Sequence, residues 1–210
     1  DDLMVLVPGV QGDRFTEESG GTAAGRTGGV NVHGSRSLQN NFLLDGVDNN
    51  SISTNVQELT TQVSRPSIDA IEEFKVVTSP YAAEYGRAPG AAISVITKSG
   101  TNDMHGSAFG FFRDKSLRAK GELDLTKVDY SRQQFGATLG GPIVKDKTHY
   151  FLSFEQVSEN NFALFRPGGA YQSLAADLSV PFDQSLLYGG VDTRFNDQQN
   201  LRMKFVYEYY

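Results

Sequence analysis

The residues able to do chemistry are scattered rather than gathered. The three histidines, His33, His105 and His149, lie far apart. None has an acidic or cysteine companion at fixed short spacing, as a metal site would need. Serine, histidine and aspartate are all present, but no Gly-x-Ser-x-Gly nucleophile elbow. The glycine-rich segments do not end in Gly-Lys-Ser/Thr, so they form no phosphate loop. Cysteine is absent, which removes disulfides and thiolate ligands. Asp45, Asp48, Asn49 and Asn50 do crowd oxygen atoms onto one turn. They could take Ca²⁺, although a solvated Asx turn is the simpler reading of the same residues. No catalytic residue, metal or cofactor is assigned, and the chain reads as a binding protein, not an enzyme.

Binding chemistry is left to the loops. Residues 11–29 are polar and Gly-rich without periodicity and read as a long exposed loop, and 34–40 and 48–51 as shorter ones. The net charge of −6 argues against nucleic acid as partner. The elements that must position these loops are short. Leu3, Leu6 and Val7 share a helical face before the Pro8-Gly9 stop, which predicts the end of a helix. Residues 30–33 and 41–45 predict two short strands, the second closed by an Asp45-Gly46 turn. Residues 54–64 carry Val56, Leu59 and Val63 at helical spacing, with Thr54 and Gln57 as a capping box. Residues 66–72 predict one more helical turn with Ile68 and Ile71 facing in. Residues 74–78 predict a strand. Ser79 and Pro80 then open a one-turn helix that Gly86 closes, and residues 91–97 form a second, mostly apolar strand.

The texture changes near Met104. Residues 105–113, 133–143, 149–157, 187–195 and 201–209 all alternate. In the last pair Leu187, Val191, Leu201, Met203, Phe205, Tyr207 and Tyr209 share one face, while Asp192, Arg194, Arg202, Lys204 and Glu208 share the other. Such segments of about 9 to 11 residues fit tilted membrane strands. The turns at 144–147 and 196–199 are short, whereas 116–130 and 160–185 read as long loops, except that 162–165 can extend the preceding strand, as in an outer-membrane barrel. A soluble sandwich also alternates, but it offers no solvent-filled interior for the charged face. About five strands cannot close a barrel, and open edges are not viable in lipid, so a longer polypeptide is expected.

Three stretches carry a resemblance. Residues 32–48 read Val-His-Gly-Ser-Arg-Ser-Leu-Gln-Asn-Asn-Phe-Leu-Leu-Asp-Gly-Val-Asp. Residues 71–100 hold Tyr85-Gly86 and Val95-Ile96-Thr97-Lys98. Residues 135–151 read Phe-Gly-Ala-Thr-Leu-Gly-Gly-Pro-Ile-Val-Lys-Asp-Lys-Thr-His-Tyr-Phe. Together they resemble TonB-dependent outer-membrane receptors, closest to the Oar-like group. The resemblance implies an α+β plug domain at 1–103, followed by antiparallel transmembrane β-barrel strands at 104–210, a segment of a 22-stranded barrel in the cell outer membrane. It implies an extracellular ligand bound on plug and barrel loops and admitted by energy-coupled plug movement. The partners implied are TonB with its inner-membrane motor proteins, and outer-membrane lipid. A plugged barrel serving as scaffold or adhesin without transport is the alternative. The plug's outer loops would supply Arg36, Gln39, Asn40, Asn49, Asn50 and Ser51 to the ligand. Two departures touch the ion-pair lock between plug and barrel: His33 stands where many members carry arginine, and Thr78-Ser79-Pro80 where many carry Arg-Gly-Pro. Arg36 and Arg87 are the remaining candidates for that contact.

Overall fold

A computed structural model describes residues 3–12, 30–35, 39–50, 62–78, 90–117, 119, 130–165, 171 and 176–209. The chain divides into two compact units, Asp1–Ser99 and Gly100–Tyr210.

The first unit contains two small sheets. Strands β1 (Val10–Gly12) and β2 (Val30–Val32) pair antiparallel. Strands β3 (Asn41–Leu44), β4 (Val47–Asp48), β5 (Ile71–Val77) and β6 (Ala92–Thr97) form a sheet of order β4-β3-β6-β5. Only the β3–β6 pair in it is parallel. Alternation puts Phe42, Ile93, Val95, Phe74 and Val76 on one face, with Phe42 opposite Ile93 and Phe74 opposite Val95. That face packs with Met4, Val10, Val32 and Ala91 into the core of the unit. A core this small leaves backbone hydrogen bonds and side-chain clamps a large share of the stability.

Several sequence expectations change here. The expected helix end at the start of the chain is a 3-10 turn, Met4–Leu6. Met4 points into the core, while Leu6 is 76% exposed. A tighter three-residue repeat turns a different side chain inward than an α-helix would. The same holds at Ile68–Ala70, another 3-10 turn: Ala70 is fully buried and Ile68 exposed. Of the expected helix at 54–64, residues 54–61 lie outside the described residues; Gln62 bridges Asn50 and Val63 is exposed. The one-turn helix after Ser79 also lies outside them.

The second unit is a five-stranded antiparallel meander: β7 (His105–Asp114), β8 (Ser131–Val144), β9 (Thr148–Phe165), β10 (Ala176–Asn196) and β11 (Gln199–Tyr209). Strand β10 starts well inside the stretch expected to be loop, because 176–184 pair residue by residue with 157–165. Pro181 lies within this part of the strand. It is tolerated because pairing with β11 begins only at Ser185, so this part of β10 has a single neighbour among the described strands.

Candidate functional site

The polar loop chemistry of the first unit centres on residues 39–50. Asp45 and Gly46 both have positive φ, 53° and 81°, and join Leu44 to its partner Val47. Two left-handed residues in succession make a hairpin turn of the primed kind, and Asp-Gly is the dipeptide that adopts it most readily. The Asp45 carboxylate then reaches β6. Its Oδ1 accepts the Thr97 backbone N–H at 2.9 Å and its Oδ2 the Thr97 hydroxyl at 2.7 Å. The Asp-Gly motif therefore ties the end of β3 to the end of β6. His33 and Gly34 form a second such turn, with φ 49° and 79° and the Ser35 N–H on the Val32 carbonyl. The His33 ring lies against Gly9, where a Cβ would come within 2.6 Å of it.

The asparagines bind the segment to itself. Asn40 Oδ1 accepts the Ala91 N–H at 3.0 Å. Asn49 brackets Ser64, donating to its carbonyl at 2.8 Å and accepting its N–H at 3.0 Å. Asn50 Oδ1 accepts the Phe42 N–H, and its Nδ2 donates to Asn41 Oδ1 at 2.7 Å and Asp48 Oδ1 at 2.7 Å. Asp48 Oδ1 also accepts the Asn50 backbone N–H, which is an Asx turn. Asn40 and Asn49 are buried, and Gln39 is exposed. The structure thus brings Asn40, Asn49 and Asn50 together around β3 and spends their amides on positioning it. Arg36, Ser51 and Arg87 lie outside the described residues. Asn41 and Thr97, which complete these clamps, had no signal in the sequence beyond their types. Among the described residues no group of three or more His, Asp or Glu converges as metal ligands. The Asp45 and Asp48 oxygens are engaged with Thr97 and Asn50 instead.

In the second unit the register sorts side chains into two faces. One carries Phe135, Ala137 and Leu139 on β8, Leu152 and Phe154 on β9, Leu187 and Val191 on β10, and Met203, Phe205 and Tyr207 on β11. Most of these are exposed. The other face carries polar pairs: Arg132 to Glu159 at 3.5 Å, Gln134 to Glu155 at 2.8 Å, and Arg202 to Asp192 at 2.7 Å. Phe109 and Phe111 of β7 belong to this polar face. Short turns at 145–147 and 197–198 lie at one end of the sheet, and the long connections 115–130 and 166–175 at the other. An exposed apolar face, an opposite face that carries the ion pairs beside the buried Phe151, Val157, Leu186 and Tyr188, and alternating turn lengths fit the pattern of an outer-membrane barrel wall.

Comparison with known proteins agrees with both halves. Residues 1–92 match the family model of the TonB-dependent Receptor Plug Domain, and residues 96–168 match an Outer membrane beta barrel domain. The chain belongs to the TonB-dependent receptors. It is 32% identical over 160 residues to the TonB-dependent transporter Oar of Myxococcus xanthus, covering 72% of this chain and 13% of that protein. It is 34% identical over 85 residues to a probable TonB-dependent siderophore receptor, PirA, of Acinetobacter baumannii, covering 40% of this chain and 10% of that one. The solved outer membrane transporter YddB of Escherichia coli shares the fold, with a TM-score of 0.65 at 16% identity over 98% of this chain and 30% of that one. The chain thus spans about an eighth or less of the curated relatives it matches. The plug match falls within the first unit and the barrel match runs from its last residues through β9, and the protein resides in the outer membrane.

Proposed function

We propose that this receptor imports an extracellular ligand across the outer membrane by energy-coupled movement of its plug. The observation that carries the reading is the joining, in one chain, of a small clamped sheet in the plug-matching segment to long antiparallel strands with one exposed apolar face and an opposite face that carries the ion pairs. A small core held by a few polar clamps is a unit that can be rearranged at modest cost, whereas a β-barrel wall is closed by continuous ladders. The complete barrel has 22 strands in this reading, and TonB with its inner-membrane motor supplies the force.

The ligand is met by the outer loops that contain Arg36, Gln39 and Ser51. Asn40, Asn49 and Asn50 belong to the same candidate set, and their amides also hold the β3 segment. Arg36 and Arg87 are the candidates for the plug–barrel contact. A ferric siderophore is the first ligand class to test, because one curated relative carries that description. The experiment is binding of a panel of labelled ferric siderophores, cobalamin, oligosaccharides and peptides to de-energised cells bearing the full-length receptor. One panel member should bind saturably, and Arg36→Ala with Gln39→Ala should weaken it at least tenfold without changing receptor amount. Saturable binding that is indifferent to both substitutions would refute the loop assignment.

A further inference from the structure

The segment joining the two units is built as a strap. Its first residue, Gly100, packs onto the backbone of Tyr150 in β9, so closely that a Cβ at this position would overlap the Tyr150 main chain. Two residues later Asn102 grips the β8–β9 turn in both directions. Its Nδ2 donates to Asp146 Oδ1 at 2.5 Å, and its Oδ1 accepts the Asp146 N–H at 2.8 Å. The same Oδ1 lies 2.8 Å from His149 Nε2, which must be the protonated ring nitrogen for that contact to be a hydrogen bond. Asp146 sits at φ 59°, a left-handed position that presents its N–H to the strap. Thr101 Oγ1 donates to the Asp103 carbonyl at 2.9 Å, and His105 Nδ1 lies 2.9 Å from the same oxygen. On the other side of the junction the Lys98 N–H donates to the Ala70 carbonyl at 2.8 Å, within the plug unit. Ser99 alone separates a residue held by the plug from one held by the wall. Successive Cα atoms stand about 3.8 Å apart, so Lys98 and Gly100 can separate by no more than ~7 Å.

We propose that residues 100–104 are a mechanical anchor, with Asn102 as its positioning residue, which keeps the C-terminal exit of the plug fixed to the short-turn rim of the barrel while the plug rearranges. Asparagine suits the task because one side chain supplies both a donor and an acceptor to Asp146. Aspartate would set two carboxylates against each other, and alanine would supply neither group. The anchor makes Ser99 a one-residue hinge. Plug movement is then rotation about that hinge or loss of structure upstream of it, and does not draw the strap from the wall. A polar cleft of about 420 Å³ lined by Asn102, Asp146, His149, Asp192 and Arg202 gives water access to these bonds.

The test needs neither ligand nor TonB, so it stands or falls apart from the transport reading. Hydrogen exchange is followed peptide by peptide on the full-length receptor in detergent across a urea series. Residues 100–105 and 144–150 should lose protection together with the barrel strands, after residues 91–97. In Asn102→Ala the strap should lose protection with the plug, while heat-modifiable gel mobility shows the barrel still folded. Gly100→Ala should do the same through its clash with Tyr150. Loss of strap protection together with the plug in the unsubstituted receptor would overturn the proposal, as would an unaltered strap in Asn102→Ala. If plug and barrel melt in one step, exchange of the Asp146 amide in urea-free buffer decides. It should be roughly tenfold faster in Asn102→Ala, and an unchanged rate overturns the assignment.

Discussion

Asp45 holds Thr97 with both carboxylate oxygens, one on the backbone N–H and one on the hydroxyl. The two residues are 52 positions apart in sequence, yet they close the ends of neighbouring parallel strands. Thr97 is buried, so its hydroxyl and N–H have no water to fall back on once the carboxylate is removed. Asp45→Ala should therefore destabilise the plug by roughly 2 to 3 kcal/mol, the worth of charge-assisted bonds to a buried partner. Asp45→Asn should cost less, because an amide oxygen still accepts one bond and asparagine tolerates the left-handed turn. Urea-dependent hydrogen exchange of β6 measures both.

Asn50 faces three oxygen atoms with its Nδ2: Asn41 Oδ1, Asp48 Oδ1 and the Phe42 carbonyl. Replacing the amide by a carboxylate turns three attractions into three oppositions, one of them against a second charge. Asn50→Asp should destabilise the β3 segment by about 1 to 3 kcal/mol, more than Asn50→Ala does. Exchange rates of the Phe42 amide, which donates to Asn50 Oδ1, read the difference directly.

Gly136 lies beneath the Phe109 ring on the polar face of the wall. A Cβ there would stand 2.6 Å from Phe109 Cζ and 2.7 Å from the Phe154 carbonyl oxygen. Gly136→Ala should cost the barrel about 1 to 3 kcal/mol by overpacking. Phe109→Ala in the same chain should restore only part of it, since the carbonyl contact remains. The fraction of receptor with heat-modifiable mobility is the readout.

Phe205 and Lys204 are adjacent on β11 and face opposite sides. Phe205→Arg places a charge against lipid and should impose up to ~2 to 4 kcal/mol, depending on depth, seen as lost outer-membrane assembly. Lys204→Gln should leave assembly intact, which sedimentation of membrane fractions would show.

The barrel half was legible because period-two alternation is a direct consequence of strand geometry. Leu201, Met203, Phe205, Tyr207 and Tyr209 mark one apolar face without any knowledge of partners. The plug half was less so. Most of its short strands were read in place, but its helical turns were not: three residues are too few to tell an α-helical face from a 3-10 one, as Met4 and Ala70 show. Residues 176–184 of β10 fell in a stretch read as loop, while the pairing that makes them strand, with residues 157–165, is not local. The asparagines near β3 were visible as a polar cluster. That they spend their amides on Ser64, Phe42 and Ala91 depends on contacts across the fold, which residue types alone do not encode.

Energy-coupled import is tested most directly by uptake of the bound panel ligand into cells that carry the full-length receptor, with and without TonB. Deleting TonB should abolish accumulation inside the cell while surface binding stays at the level of the parent strain. Accumulation that continues at the parental rate without TonB would contradict the account, and would leave a plugged barrel that binds its ligand but does not depend on plug movement.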